Sequence, residues 1–148
     1  MIIGVPKEIL DNENRVAAIP ATVQALAARG HTVLVQKGAG AGSAIRDDLY
    51  RSAGATIVST ARQVFARADL ILKVKEPLPS ELPLLRPEQV LVTYLHLAAD
   101  KTLTEALLAR KIVGIAYETV ETADGRLPLL EPMSEVAGRM AVHIAAYY

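Results

Sequence analysis

Short apolar segments alternate with helix-forming segments along this chain, and that alternation limits the possible folds more than any other feature. The apolar segments predict strands at 1–5, 32–36, 56–58, 70–74, 89–95 and 112–117, and the amphipathic segments predict helices at 20–29, 46–53, 60–68, 100–110 and 132–148. Strands that are apolar along their whole length are buried on both faces, as in parallel sheets. The sequence therefore predicts an α/β fold: a Rossmann-like or flavodoxin-like three-layer domain, with a mostly parallel sheet and helices on both faces.

Local signals support the predicted helix boundaries. Pro20 suits the first turn of a helix, and Gly30 suits the left-handed residue that follows a helix. Ser59 or Thr60 is expected to cap the third helix, and Asp100 the fourth, because their side-chain oxygens accept hydrogen bonds from the first turn.

Composition excludes several classes of function. Among 148 residues there are 16 Lys and Arg against 16 Asp and Glu, so no basic excess favours nucleic acid. The absence of cysteine excludes disulfides, thiolate metal sites and cysteine nucleophiles. We see neither a signal peptide nor an apolar segment long enough for a membrane span, so a soluble cytoplasmic protein without membrane partners is expected.

Several polar residues follow the predicted strands, where parallel sheets bind their ligands. These residues are Arg15, Lys75, His96 and Glu118. By contrast, His31 precedes a strand and His143 lies inside the last helix, so His96 is the histidine best placed for chemistry. No cluster of residues with metal-ligand spacing occurs, and no metal is expected.

Each of these residues also has a structural interpretation. His96 at a strand end is compatible with a hydrogen-bonded structural histidine, and Lys75 with a surface pair to Glu76. Arg15 lies in a polar loop, where it is compatible with a solvated cation. For Glu118 we favour a hydrogen-bonding role. The common placement of the Arg, Lys and His strengthens the functional interpretation of all four residues.

A glycine-rich segment at 38–43 resembles a phosphate-binding loop only superficially. Its glycines, Gly38, Gly40 and Gly42, do not have the G-x-G-x-x-G spacing, and no long helix follows them. We therefore interpret the segment as a tight surface turn. No nucleotide fingerprint occurs elsewhere, so no cofactor-binding residue is predicted within this chain.

Six segments also carry a family resemblance. They are Gly-Val-Pro-Lys-Glu at 4–8, Asn-Arg-Val-Ala at 14–17, Lys-Val-Lys-Glu-Pro at 73–77, Tyr-Leu-His-Leu-Ala at 94–98, Ala-Tyr-Glu-Thr-Val at 116–120 and the run from Pro128 to Ala141. With them the chain resembles the N-terminal portion of NAD-dependent alanine dehydrogenase over essentially its whole length. One departure is Ile19, where the family commonly has threonine. The related domain of nicotinamide nucleotide transhydrogenase lacks the surroundings of Lys75 and His96.

The resemblance implies oxidative deamination of L-alanine to pyruvate and ammonia, with hydride passing to NAD. It implies that Arg15 holds the substrate carboxylate, that Lys75 binds the carbonyl oxygen of pyruvate, and that His96 is the general acid and base. Met133 and Ser134 would line the site.

The resemblance also implies a domain organisation. Residues 1–130 would form the substrate-binding α/β domain, and 131–148 would begin a long helix leading to a dinucleotide-binding domain, absent here, that holds NAD. The chain alone, a fragment or a natural truncation, is then expected to be inactive. The alternatives are a non-catalytic binding or interaction module of the same fold, or a domain like the transhydrogenase alpha subunit. The last helix carries an apolar stripe of Met133, Ala137, Met140, Ile144 and Tyr147. In the intact enzyme we expect it to pack against other helices, including another subunit, so a homo-oligomer through this helix is expected. In the chain alone the stripe either folds back, pairs with a second copy or frays.

Overall fold

The computed structural model describes residues 1–148, which form two compact units, 1–115 and 116–148. The strands are β1 (Ile2–Val5), β2 (Thr32–Gln36), β3 (Thr56–Val58), β4 (Leu70–Leu72), β5 (Val90–Thr93) and β6 (Val113–Ala116). The helices are α1 (Pro20–Ala28), α2 (Asp47–Ser52), α3 (Ala61–Arg67), α4 (Lys101–Ala109) and α5 (Glu131–Tyr147). Every predicted strand and helix is present, with ends that differ from prediction by at most two residues.

The first unit is built on a six-stranded parallel sheet in the order β3-β2-β1-β4-β5-β6. In the register, Ile3 lies beside Val33, Gly4 beside Ile71, and Ile71 beside Leu91. The predicted α/β fold is confirmed, and its strand order is that of the Rossmann fold. Because the winding reverses between β1 and β4, the ligand-binding crevice of such a sheet lies at the carboxyl ends of these two strands.

Alternating residues of β1 show that helices cover both faces of the sheet. Val5 points to one face, where it shares a buried apolar cluster with Val23 of α1. Gly4 points to the other face, where an added Cβ would lie only 2.6 Å from Cγ1 of Val64 and 2.7 Å from Cβ of Ala68. Only glycine lets α3 approach the middle of β1 this closely.

The predicted helix signals are present at the helix starts. Pro20 is the first residue of α1. The hydroxyl of Thr60 accepts a hydrogen bond from the backbone N–H of Gln63. The side chain of Gln63 accepts one from the backbone N–H of Thr60, which completes a capping box. The carboxylate of Asp100 accepts from the N–H of Leu103 and caps α4.

Strand β4 is shorter than predicted for a physical reason. The sequence predicts a strand over 70–74, but β4 ends at Leu72. Two residues later the backbone N–H of Val74 donates to the carboxylate of Glu8 at 2.7 Å instead of to a neighbouring strand. A buried side chain therefore takes over the backbone bonding where the sheet ends.

The second unit contains a 3₁₀ turn at Tyr117–Thr119, a loop closed between Thr122 and Arg126, and α5. Arg126 pairs with Glu131 at the start of α5, and no residue of this helix is buried. No helix in the chain is long and apolar enough to cross a membrane. The predicted apolar stripe is exposed throughout, at Met133, Ala137, Met140, Ile144 and Tyr147.

The core of the first unit contains a buried tyrosine whose contribution to the free energy of unfolding can be measured. Tyr50 is fully buried, and its hydroxyl donates to the carbonyl oxygen of Ala18 at 2.8 Å. Tyr50→Phe leaves that carbonyl without this donor, so we expect a loss of about 1–3 kcal/mol in the free energy of unfolding, measured with urea. Tyr147→Phe, at a residue 84% exposed, is the control and should change it by less than about 0.5 kcal/mol. Equal values for the two variants would show that the buried hydrogen bond adds nothing to stability.

Candidate functional site

Three neighbouring strands deliver the predicted site residues to one edge of the sheet. Arg15 lies in the loop after β1, Lys75 follows the end of β4, and His96 follows the end of β5. Strands β1, β4 and β5 are adjacent and parallel, so their carboxyl ends share this edge. The edge includes the point where the winding of the sheet reverses.

Arg15 is gripped by a carboxylate two residues earlier in the chain. Glu13 accepts from Nε of Arg15 at 2.8 Å, from Nη2 at 2.6 Å and from the backbone N–H at 2.9 Å. The side chain of Glu13 is 8% exposed, whereas that of Arg15 is 49% exposed. Glu13 therefore holds an arginine that remains accessible to solvent.

The ion pair between Glu13 and Arg15 shifts the pKa of both side chains. The hydrogen bonds from Arg15 hold the pKa of Glu13 below its ordinary value, and the nearby charge of Lys75 acts in the same direction. Glu13 in turn raises the pKa of Arg15, with smaller contributions from Tyr94 and Glu8. Because the pKa of Glu13 is lowered on folding, the pair stabilises the fold at neutral pH, and this stabilisation is lost as the pH falls through the lowered value.

Lys75 is fixed through its backbone and paired through its side chain. Its carbonyl oxygen accepts from Oγ1 of Thr93 at 2.8 Å, which ties the segment after β4 to the end of β5. Its Nζ lies 3.6 Å from Oε2 of Glu76, so the expected contact between these neighbours is present. That same Oε2 is buried without a hydrogen bond.

His96 is held in a conformation that few residues adopt. Its backbone is left-handed, at φ 48° and ψ 34°, and its side chain is exposed. Its ring stacks on that of the buried Tyr94, with centroids 6.2 Å apart and planes at 21°. A left-handed residue with a Cβ costs about 1–2 kcal/mol. Four other non-glycine residues share this backbone conformation: Asn12, Ala44, Glu88 and Lys111.

Below this edge lies a buried ionic triad that the sequence analysis missed. Nζ of Lys73 lies 3.1 Å from Oε2 of Glu8 and 2.8 Å from Oε1 of Glu81, and the three side chains are at most 3% exposed. The remaining carboxylate oxygens accept from the backbone, Glu8 from Val74 and Glu81 from Leu78. The triad thus joins the ends of β1 and β4 to the connection before β5. Lys73 itself was the available signal, since a lysine within a predicted buried strand requires acidic partners.

The remaining candidates lie in the second unit. Met133 and Ser134 are in the first turn of α5, where both are exposed, and Glu118 lies in the 3₁₀ turn before it. Of the five predicted site residues, the structure thus brings Arg15, Lys75 and His96 to one edge. The roles of Met133 and Ser134 stay predictions. No group of three or more His, Asp or Glu side chains suited to a metal ion occurs in the chain.

Comparison with known proteins gives a consistent set of relatives. Residues 4–137 match the family described as alanine dehydrogenase/PNT, N-terminal domain. An alanine dehydrogenase of Methanococcus maripaludis is 60% identical over all 148 residues, and one of Mycolicibacterium smegmatis is 57% identical over the same length. The chain spans 40% of the length of each of these curated relatives.

Solved structures agree with these matches. An L-alanine dehydrogenase superposes with a TM-score of 0.93 at 48% identity, covering 97% of this chain and 40% of that one. A transhydrogenase from Sinorhizobium meliloti superposes with a TM-score of 0.75 at 33% identity, covering 80% of this chain and 34% of that one.

The buried triad can be tested by removing its cation. Lys73→Met leaves the carboxylates of Glu8 and Glu81 buried and without their shared partner, so we expect a loss of about 3–5 kcal/mol in the free energy of unfolding, measured with urea. Lys101→Met removes a lysine that is 89% exposed and 3.6 Å from Glu105, and should cost less than about 0.5 kcal/mol. A Lys73 variant as stable as the Lys101 control would contradict a structural role for the triad.

Proposed function

Because the chain belongs to the alanine dehydrogenase/PNT family, whose N-terminal domain it matches over residues 4–137, we propose that it is the substrate-binding part of an L-alanine dehydrogenase. The reaction converts L-alanine, NAD and water to pyruvate, ammonia and NADH. The observation that carries the proposal is the convergence of Arg15, Lys75 and His96 on the sheet edge where the winding reverses.

In this proposal the two cations bind the two ends of the substrate. Arg15 holds the carboxylate of alanine or pyruvate, because its planar guanidinium can donate two parallel hydrogen bonds to the two oxygens. Lys75 donates to the carbonyl oxygen of pyruvate and stabilises the negative charge that develops there when ammonia adds to the carbonyl in the reverse direction. The backbone bond from Thr93 supports this role, since it fixes the origin of the Lys75 side chain.

His96 is the proton carrier. It takes a proton from the water that adds to the protonated imine. As the carbinolamine collapses, it gives that proton to the departing amine and accepts the proton of the hydroxyl, which leaves pyruvate and ammonia. An imidazole can both accept and donate a proton near neutral pH, which suits transfer in both directions. Stacking on Tyr94 supports this role because it limits the positions of the ring. We also propose that Met133 and Ser134 line the site.

The first unit does not fit NAD, although its strand order is that of dinucleotide-binding sheets. Those folds bring the pyrophosphate to a glycine-rich turn after the first strand. Here β1 is followed by Pro6 and Lys7 and by the buried carboxylate of Glu8, and no glycine occurs from 6 to 19. We therefore place NAD in a dinucleotide-binding part of the enzyme outside these 148 residues, with α5 leading to it.

Two alternatives remain within the same family. A transhydrogenase-like domain is disfavoured by the lower similarity, 33% identity against 48% for the dehydrogenase structure. A non-catalytic binding module of the same fold is the second alternative. For the enzyme we further propose a cytoplasmic location and a homo-oligomer formed through the exposed apolar residues of α5, among them Met140 and Ile144.

Pyruvate binding by the 148-residue chain tests the assignment of Arg15. We expect a dissociation constant on the order of 1 mM by ligand-observed NMR, and at least about tenfold weaker binding for Arg15→Ala, since a charge-assisted pair contributes about 1.5–3 kcal/mol. Arg46→Ala is the matched control, because Arg46 makes the same kind of forked pair with Asp48 at 3.1 and 2.8 Å. The chain alone should oxidise no NADH with pyruvate and ammonia. Equal binding by the two arginine variants would refute the role of Arg15.

A chimaera tests the enzymatic proposal and the role of His96 together. Joined to the remaining part of the Methanococcus maripaludis enzyme, the chain should support turnover, and an inactive, folded chimaera would favour the non-catalytic module. In an active chimaera, His96→Ala should lower kcat by about 10²–10⁴ with little change in Tm, because the side chain is exposed. His96→Asn is the control for backbone strain at this position, because asparagine tolerates the left-handed conformation better than alanine does. A stable His96→Ala variant with near-normal kcat would contradict the catalytic role.

A further inference from the structure

The glycine-rich segment at 38–43 contacts another loop of the first unit. Its residues Gly40, Ala41, Gly42 and Ser43, here called the 40–43 turn, include a 3₁₀ turn at Ala41–Ser43. This turn lies against the loop that carries Arg15.

Two contacts join the 40–43 turn to Asn14. Oγ of Ser43 donates to the carbonyl oxygen of Asn14 at 2.7 Å. A Cβ added to Gly42 would lie 2.8 Å from Cα and from the carbonyl oxygen of Asn14, and 2.9 Å from its Oδ1. These distances are shorter than any real Cβ contact, so a residue larger than glycine at 42 would force the Arg15 loop away.

These contacts act directly on the peptide bond that precedes Arg15. The oxygen of the Asn14–Arg15 peptide accepts from Ser43, and its N–H donates to Glu13 at 2.9 Å. Glu13 also holds the guanidinium at the other end of the same side chain. Glu13 therefore holds the backbone N–H and the guanidinium of Arg15. The 40–43 turn holds the carbonyl oxygen of the same peptide bond, which a carboxylate cannot do because it has no hydrogen to donate.

We propose that the 40–43 turn positions Arg15 for the substrate carboxylate, and that Gly42 and Ser43 are positioning residues of the site. This rests on the proposed function, in which Arg15 binds that carboxylate. A displacement of about 1 Å can cost two orders of magnitude in a reaction that depends on orientation, so close support of the arginine backbone has a direct effect on binding and turnover.

Gly4 of β1 provides a control outside the 40–43 turn. A Cβ added there would lie 2.6 Å from Cγ1 of Val64 and 2.7 Å from Cβ of Ala68. The overlap is at least as severe as at Gly42, but it is directed toward α3 and its C-terminal end and not toward Asn14. Gly4→Ala therefore separates general overpacking from displacement of the Arg15 loop.

The experiment compares Gly42→Ala, Ser43→Ala and Gly4→Ala in the 148-residue chain. For each variant we would record the ¹⁵N NMR signals of the amides of 12–15 and of Nε of Arg15, the dissociation constant for pyruvate, and the Tm. We expect Gly42→Ala to move those signals and to weaken pyruvate binding about tenfold. Ser43→Ala should move the same signals and weaken binding about threefold. Gly4→Ala should lower the Tm by about 5 °C or more, with these signals and the affinity of the folded protein unchanged.

The outcomes separate this proposal from the proposed function. Unchanged signals for 12–15 in both Gly42→Ala and Ser43→Ala would overturn the positioning role, as would a Gly4→Ala variant that moves them equally. Ser43→Ala keeps the test decisive if Gly42→Ala fails to fold, because it adds no atoms. If the unmodified chain does not bind pyruvate, the proposed function fails, while the signals of 12–15 and of Nε still decide whether the turn holds the Arg15 peptide.

Discussion

A buried ammonium at the centre of the sheet edge is the constraint on which the rest of the candidate site depends. Lys73 lies at the point where the sheet winding reverses, and its removal from water is compensated by Glu8 and Glu81. The same carboxylates bind backbone N–H groups, so meeting the charge of Lys73 also sets the path of the chain after β4. Lys75 lies two residues later, so the position of its backbone depends on the same hydrogen bonds.

The other two cations of the edge, one exposed and one half-buried, are likewise accompanied by acids. Arg15 is forked by Glu13, and Lys75 lies near Glu76. A cation that is already oriented loses less side-chain freedom when a ligand binds, which favours binding through preorganisation. A nearby carboxylate also competes with an anionic ligand. Both effects together fit the proposed binding of a small carboxylate at moderate affinity.

The sequence predicts local features well and long-range pairings poorly. Strand and helix positions, the caps at Thr60 and Asp100, and the common edge of Arg15 and His96 depend on patterns within a few residues and on the rule for parallel sheets. The partners of Lys73 are 65 residues before it and 8 after it, and Ser43 bonds to a carbonyl 29 residues away. One sequence does not contain these pairings, because they arise from where the folded chain crosses itself.

The exposure of α5 limits the stability that this helix can gain from packing within the chain. None of the 17 residues of this helix is buried, so tertiary packing adds little to its stability. An isolated helix of about this length is marginal in water, even with favourable residues. In the proposed homo-oligomer, the surface that α5 contacts would therefore stabilise the helix, and its folding would be coupled to association. The protection of its amides from exchange would then increase with protein concentration.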